Sequence, residues 1–100
     1  MTKGEIMRIL AENHGHMREL GVQRIGLFGS YVRGSQRPDS DIDLLVEFAR
    51  GQKSFDRFMA LSFFLEDLLQ HRVELVTTES LSPHIGPHIL NEVEYAPFAA

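Results

Sequence analysis

Residues 24–28 read Arg24-Ile25-Gly26-Leu27-Phe28, and Gly29-Ser30-Tyr31-Val32-Arg33 follows directly. The spacer Gly34-Ser35-Gln36-Arg37-Pro38-Asp39-Ser40 then leads to Asp41-Ile42-Asp43-Leu44-Leu45-Val46-Glu47-Phe48. The first run is short, apolar and ended by glycine, the pattern of a buried strand entering a tight turn. Ser30 to Val32 then open a short helix. Gly, Pro, Asp and Ser in the spacer each favour turn geometry, and its length lets the chain reverse. The last run begins with alternation and continues almost wholly apolar, which predicts a strand at the sheet centre.

Upstream, Ile6, Ile9, Leu10, Met17 and Leu20 recur at roughly helical spacing. Thr2 can cap that helix, Gly21 stops it and Gly15 weakens its middle. Downstream of Gly51-Gln52-Lys53, Ser54 can cap a helix from about Phe55 to His71. Its main stripe is Phe58, Leu61, Leu65, Leu68 and Leu69, widened by Phe55, Met59, Phe63 and Phe64. The stripe reads as core, although an exposed Phe55, Met59 or Phe63 would offer an anchor to a protein partner. Arg72 to Thr77 predicts a third strand, and Pro83 to Val93 a final short helix with Pro87 in its first turn. The tail after Glu94 has no readable pattern. The order α-β-α-β-α-β-α, with no repeat and no linker, gives one α/β domain over residues 1–100.

The chain has 100 residues, enough for one hydrophobic core and hence one site. Its 10 basic and 14 acidic residues give a formal charge of −4, which argues against stable, sequence-independent binding to nucleic acid. Without cysteine there is no disulfide, no thiolate nucleophile and no Cys-based zinc site, so a metal must be held by oxygen or imidazole. Glu5 and Arg8 interrupt the apolar residues at the start, which reads as neither a secretory signal nor a membrane span and leaves the cytoplasm as the expected location.

Asp41 and Asp43, two apart at a strand start, point to one face while Ile42 and Leu44 point to the other. Two converging carboxylates repel unless a cation neutralises them, and hard oxygen donors suit Mg²⁺ bound jointly with phosphates. The alternative is two solvated acids at a strand mouth. Just upstream, Gly29-Ser30 would expose backbone N–H groups where a strand turns into a helix, with the Ser30 hydroxyl a further donor to phosphate. An ordinary strand-to-helix turn has the same sequence. Ser40 can supply a second hydroxyl or cap the loop. Glu74, between Val73 and Leu75, either completes a metal shell, takes a proton from an attacking hydroxyl, or is a solvated edge residue. His84 and His88 stand at i, i+4 spacing, but no third ligand is apparent near them.

Taken together, Leu27-Phe28-Gly29-Ser30, the spacer, Ser40-Asp41-Ile42-Asp43-Leu44 and Val73-Glu74-Leu75 resemble the DNA polymerase beta-like nucleotidyltransferase superfamily. Gly29-Ser30-Tyr31-Val32-Arg33-Gly34 and the short chain look like its minimal nucleotidyltransferase (MNT) antitoxins, the partners of HEPN ribonuclease toxins. The resemblance covers roughly residues 21–78. It implies a small mixed sheet of three or four strands with helices packed against it. It also implies Mg²⁺, two ions by analogy, with ATP as substrate, and Asp41, Asp43 and Glu74 as catalytic and metal-binding acids. Gly29, Ser30, Arg33 and Ser40 would bind the nucleotide, Arg33 matching the family's arginine after the turn, though an ion pair with a local carboxylate is equally open to it. Family members transfer AMP to a tyrosine of the HEPN toxin and silence it. One departure is Glu74, where the family commonly has Asp.

The expected function is therefore an antitoxin nucleotidyltransferase, an AMP-transferring enzyme. A different class is an antitoxin that covers its toxin and carries an idle site. A third, transfer to a small molecule or an RNA end, needs a substrate-binding region for which this chain has almost no room.

Overall fold

A computed structural model of the chain describes residues 1–98. Helix α1 (Lys3–Glu12) opens with a capping box: the Thr2 hydroxyl accepts from the Glu5 N–H and the Glu5 carboxylate accepts from the Thr2 N–H. The single helix expected as far as Leu20 is divided, and α2 spans His14–Glu19. The break lies at Asn13, whose backbone (φ −111°, ψ 19°) leaves the helix while its side-chain amide donates to the Ile9 carbonyl at 2.8 Å. The same carbonyl also accepts from the Asn13 N–H at 3.2 Å, so side chain and backbone of one residue close the helix end together.

Strand β1 (Val22–Phe28) starts two residues before the expected Arg24, and α3 is Ser30–Arg33. Strand β2 is Ile42–Phe48, so Asp41 stands just before it. Helix α4 (Phe55–Leu69) starts where Ser54 Oγ accepts from the Arg57 N–H at 3.1 Å and stops at Gln70, which adopts the left-handed conformation (φ 53°). Strand β3 (Val73–Thr77) and a 3₁₀ turn at Thr78–Ser80 follow. Helix α5 (Gly86–Glu92) has Pro87 at its start, where a missing N–H costs nothing. The tail, unreadable in sequence, supplies a two-residue strand β4 (Glu94–Tyr95).

The sheet order is β3-β2-β1-β4, with β2 and β1 inside and β3 at an edge. β1 runs antiparallel to both β2 and β4, whereas β2 and β3 are parallel and joined through α4. The sheet is thus mixed, and each face has its own core. Ile6, Leu10, Met17, Leu27, Leu44 and Leu65 belong to the larger cluster, to which α1, α2 and α4 contribute. Phe28, Leu45 and Ile89 form the smaller one, with Val76, Leu81, Val93 and Tyr95 against it, under α5. Leu61, Leu65 and Leu69, one turn apart on α4, are fully buried, while Phe55 (77%) and Phe63 (63%) stay exposed, so the predicted stripe is wider than its contact. Among the described residues no helix is long and apolar enough to cross a membrane.

Candidate active site

Parallel pairing of β2 with β3 sets Asp43 opposite Glu74. Two residues further on, Leu45 and Val76 join the cluster under α5, so strand alternation puts both acids on that same face. The Asp43 carboxyl is pushed up to about 7, first by burial, then by its hydrogen bond with Glu74, then by the charges of Glu74 and Asp41, with Arg33 opposing. A protonated Asp43 donates to Glu74, the arrangement two carboxylates adopt when both cannot ionise together. Asp41 is near enough for its charge to act on Asp43, but its own carboxylate lies 3.7 Å from Arg72 Nε. As folded, Asp43 and Glu74 are in contact and Asp41 is held to one side. No group of three His, Asp or Glu side chains among the described residues is arranged to hold a metal ion, and this includes His84 and His88. The donor chemistry nonetheless fits a hard divalent cation: these are hard oxygen donors, and a cation would favour the ionised form of the Asp43 carboxyl that burial and its acidic neighbours disfavour.

Gly29 joins β1 to α3 with φ 80° and ψ −151°. A side chain at that position would run into the Asp43 carboxylate, so both the positive φ and the close approach require glycine. The turn is closed by the Gly29 carbonyl, which accepts from the Val32 and Arg33 N–H groups at 3.1 and 3.2 Å. Ser40 serves its loop, its hydroxyl accepting from the Arg37 N–H at 2.8 Å. Arg33 forms an ion pair: its Nη1 donates to the two carboxylate oxygens of Glu92 at 2.9 and 3.1 Å. The Gly29 N–H donates to the same carboxylate at 3.1 Å. Sequence reasoning missed Glu92, because an acid 59 positions from Arg33 at a helix end carries no local signal.

A cleft of about 330 Å³ lies beside Glu74, lined by Phe28, Val76, Ser80, Leu81, Ser82, Ile85 and Ile89. A larger space of about 440 Å³, between Phe55 and Phe58 of α4 and Leu75 and Thr77 of β3, includes none of the candidate acids. Of the candidate acids, Glu74 lines the smaller of these two spaces, where a carboxylate meets an apolar wall, which makes it the better candidate for a site.

The family model for the nucleotidyltransferase domain matches residues 5–97. The chain belongs to the nucleotidyltransferase domain family. This nucleotidyltransferase is 45% identical over 96 residues to the protein adenylyltransferase MntA of Thermococcus cleftensis, with 95% of this chain and 96% of that protein covered. A solved structure, provisionally assigned as a minimal nucleotidyltransferase, matches with a TM-score of 0.74 at 32% identity and covers 94% of this chain and 95% of that one. A chain from a toxin–antitoxin complex solved with AMP-PNP matches with a TM-score of 0.70 at 26% identity, covering 99% of this chain and 75% of its own. The mixed four-stranded sheet with flanking helices is therefore the minimal nucleotidyltransferase fold.

Proposed function

We propose that this nucleotidyltransferase moves AMP from Mg-ATP onto a tyrosine hydroxyl of a HEPN-type toxin and so silences it in the cytoplasm. The observation that carries the reading is the Asp43–Glu74 pair packed against the Gly29 turn, which sets acids beside a backbone suited to phosphate. The likeness to a protein adenylyltransferase and to a toxin–antitoxin chain solved with AMP-PNP supports the acceptor class and the nucleotide.

In this reading Asp41, Asp43 and Glu74 hold Mg²⁺, which when bound neutralises the triphosphate and makes the α-phosphorus more electrophilic. Gly29 leaves room for the phosphates to approach the turn, Ser30 donates to a phosphate oxygen, Arg33 adds a positive charge, and Ser40 shapes the loop that carries Asp41. The acceptor oxygen bonds to the α-phosphorus, the bond to the bridging oxygen breaks, and pyrophosphate leaves. Glu74, at the mouth of the apolar cleft, takes the hydroxyl proton. Positioning and charge neutralisation do most of the work.

The test is intact-mass analysis of the protein encoded beside this one after incubation with the chain, Mg²⁺ and ATP, with Asp41→Ala, Asp43→Ala as control. AMP increments that vanish in the control are expected. A second reading, an antitoxin that acts by covering its toxin, is favoured by the exposed Phe55 and Phe63. A stable complex with no mass increment would support that alternative.

A further inference from the structure

Glu92 ends α5, three residues after Ile89, which anchors that helix on the smaller core. Its carboxylate bridges two donors of the candidate nucleotide site, the Gly29 N–H at 3.1 Å and Arg33 Nη1 at 2.9 and 3.1 Å. The Glu92 side chain is 25% exposed and that of Arg33 is 58% exposed, so the carboxylate is the more fixed member of the pair. Gly29 lies just beyond the end of β1, and Glu92 supplies its N–H with an acceptor where the strand ladder has run out.

We infer that Glu92 is a positioning residue for nucleotide binding: by gripping Arg33 Nη1 and the Gly29 N–H, it orients the guanidinium toward phosphate and fixes the turn beside Asp43. This rests on the nucleotide-site reading above. A guanidinium has five N–H donors on three nitrogens, and the bonds to Glu92 use only Nη1. Holding one nitrogen sets the plane of the fork while Nε and Nη2 stay available to an anion. The rotamer freedom of a long surface side chain is lost before the nucleotide arrives, which strengthens binding without a contact between Glu92 and the nucleotide. A carboxylate that merely occupied the phosphate position would have the opposite effect, because its removal would tighten binding.

Mg-ATP binding measured by calorimetry on the wild type, Glu92→Gln, Arg33→Ala and the double variant separates these outcomes, with thermal melting run alongside. The expected result is about three- to tenfold weaker binding for Glu92→Gln, and no further loss when it is added to Arg33→Ala. Unchanged or tighter binding in Glu92→Gln overturns the inference, as does a loss that simply adds to that of Arg33→Ala. If Glu92→Gln melts below the assay temperature, Glu92→Asp takes its place under the same two criteria. A wild type that binds no Mg-ATP overturns the nucleotide-site reading itself, whereas a wild type that binds normally beside an indifferent Glu92→Gln overturns only the role of Glu92.

Discussion

Asp43 on β2 and Glu74 on β3 are register partners in the parallel ladder, and burial together with the neighbouring Glu74 pushes the Asp43 carboxyl up to about 7. Neither residue is close to the other in sequence. The pairing sets two carboxyl groups side by side next to the Gly29 turn, an arrangement that a bound cation would relieve.

With no metal bound, the protein should lose stability as pH rises. The Asp43 carboxyl goes up from its ordinary 3.8 to about 7 on folding, so the folded state holds that proton more tightly than the unfolded state. The stability it contributes is complete below about 3.8 and is lost as pH climbs through about 7. Thermal melts in chelator should fall between pH 5 and 8, Mg²⁺ should restore them at the upper end, and Asp43→Asn should flatten the profile. A flat wild-type profile in that window would contradict the raised Asp43 carboxyl.

Replacing Asp41 and Asp43 together by Ala should reduce AMP transfer by at least about 100-fold, since two of the three groups proposed to hold the cation are gone. Complex formation with the partner, followed by size exclusion, should persist. If protection of cells from the toxin survives this double substitution, the site is idle and the covering antitoxin is the right description.

Glu74 tests charge and length separately. Glu74→Asp keeps an ionisable oxygen donor and should retain transfer within about tenfold of wild type, whereas Glu74→Gln, which cannot accept the proton, should fall by about 100-fold or more. Equal rates for the two variants in a single-turnover assay would remove Glu74 from the chemistry.

Gly29→Ala should damage both folding and nucleotide binding. The residue is at φ 80°, and an added methyl group meets the Asp43 carboxylate. A cost of about 1–3 kcal/mol in chemical denaturation is expected, accompanied by weaker Mg-ATP binding. Wild-type stability in this variant would show that the turn has another conformation open to it.

Helix α4 supplies a packing contrast. Leu65 is fully buried in the larger core and Phe63 is 63% exposed. Leu65→Ala should cost about 2–5 kcal/mol and Phe63→Ala at most about 0.5 kcal/mol. Equal losses in urea melts would place Phe63 in a contact that the isolated chain lacks, such as an interface with another molecule.

Local pattern was enough for the elements whose cause is local. The Ser54 cap and the i, i+4 leucines of α4, the apolar run of β2 and the glycine ending β1 all act through neighbours within a turn or a strand, and each element formed within two residues of its expected bounds. The one expected helix that divided did so at Asn13, where a side chain bonding to a backbone carbonyl four residues back is as local as a cap yet leaves no mark on the apolar spacing. The candidate site was half legible. Gly29, Asp41 and Asp43 stand in one stretch whose strand, turn and strand character can be read directly, and Glu74 stands out as a carboxylate between Val73 and Leu75 in a predicted strand, but nothing local shows that it faces Asp43.

The sequence by itself therefore determined the α/β order, the apolar faces and the residue types able to handle phosphate and a divalent cation, because these follow from periodicity and side-chain chemistry. Tertiary structure alone decided that β3 runs parallel beside β2 and that Asp43 therefore meets Glu74 while Asp41 turns to Arg72. It also recruited β4 from an unpatterned tail and brought Glu92 to Gly29 and Arg33. These are contacts between groups far apart in the chain. Their energies depend on strand register and helix packing, which no window of sequence contains.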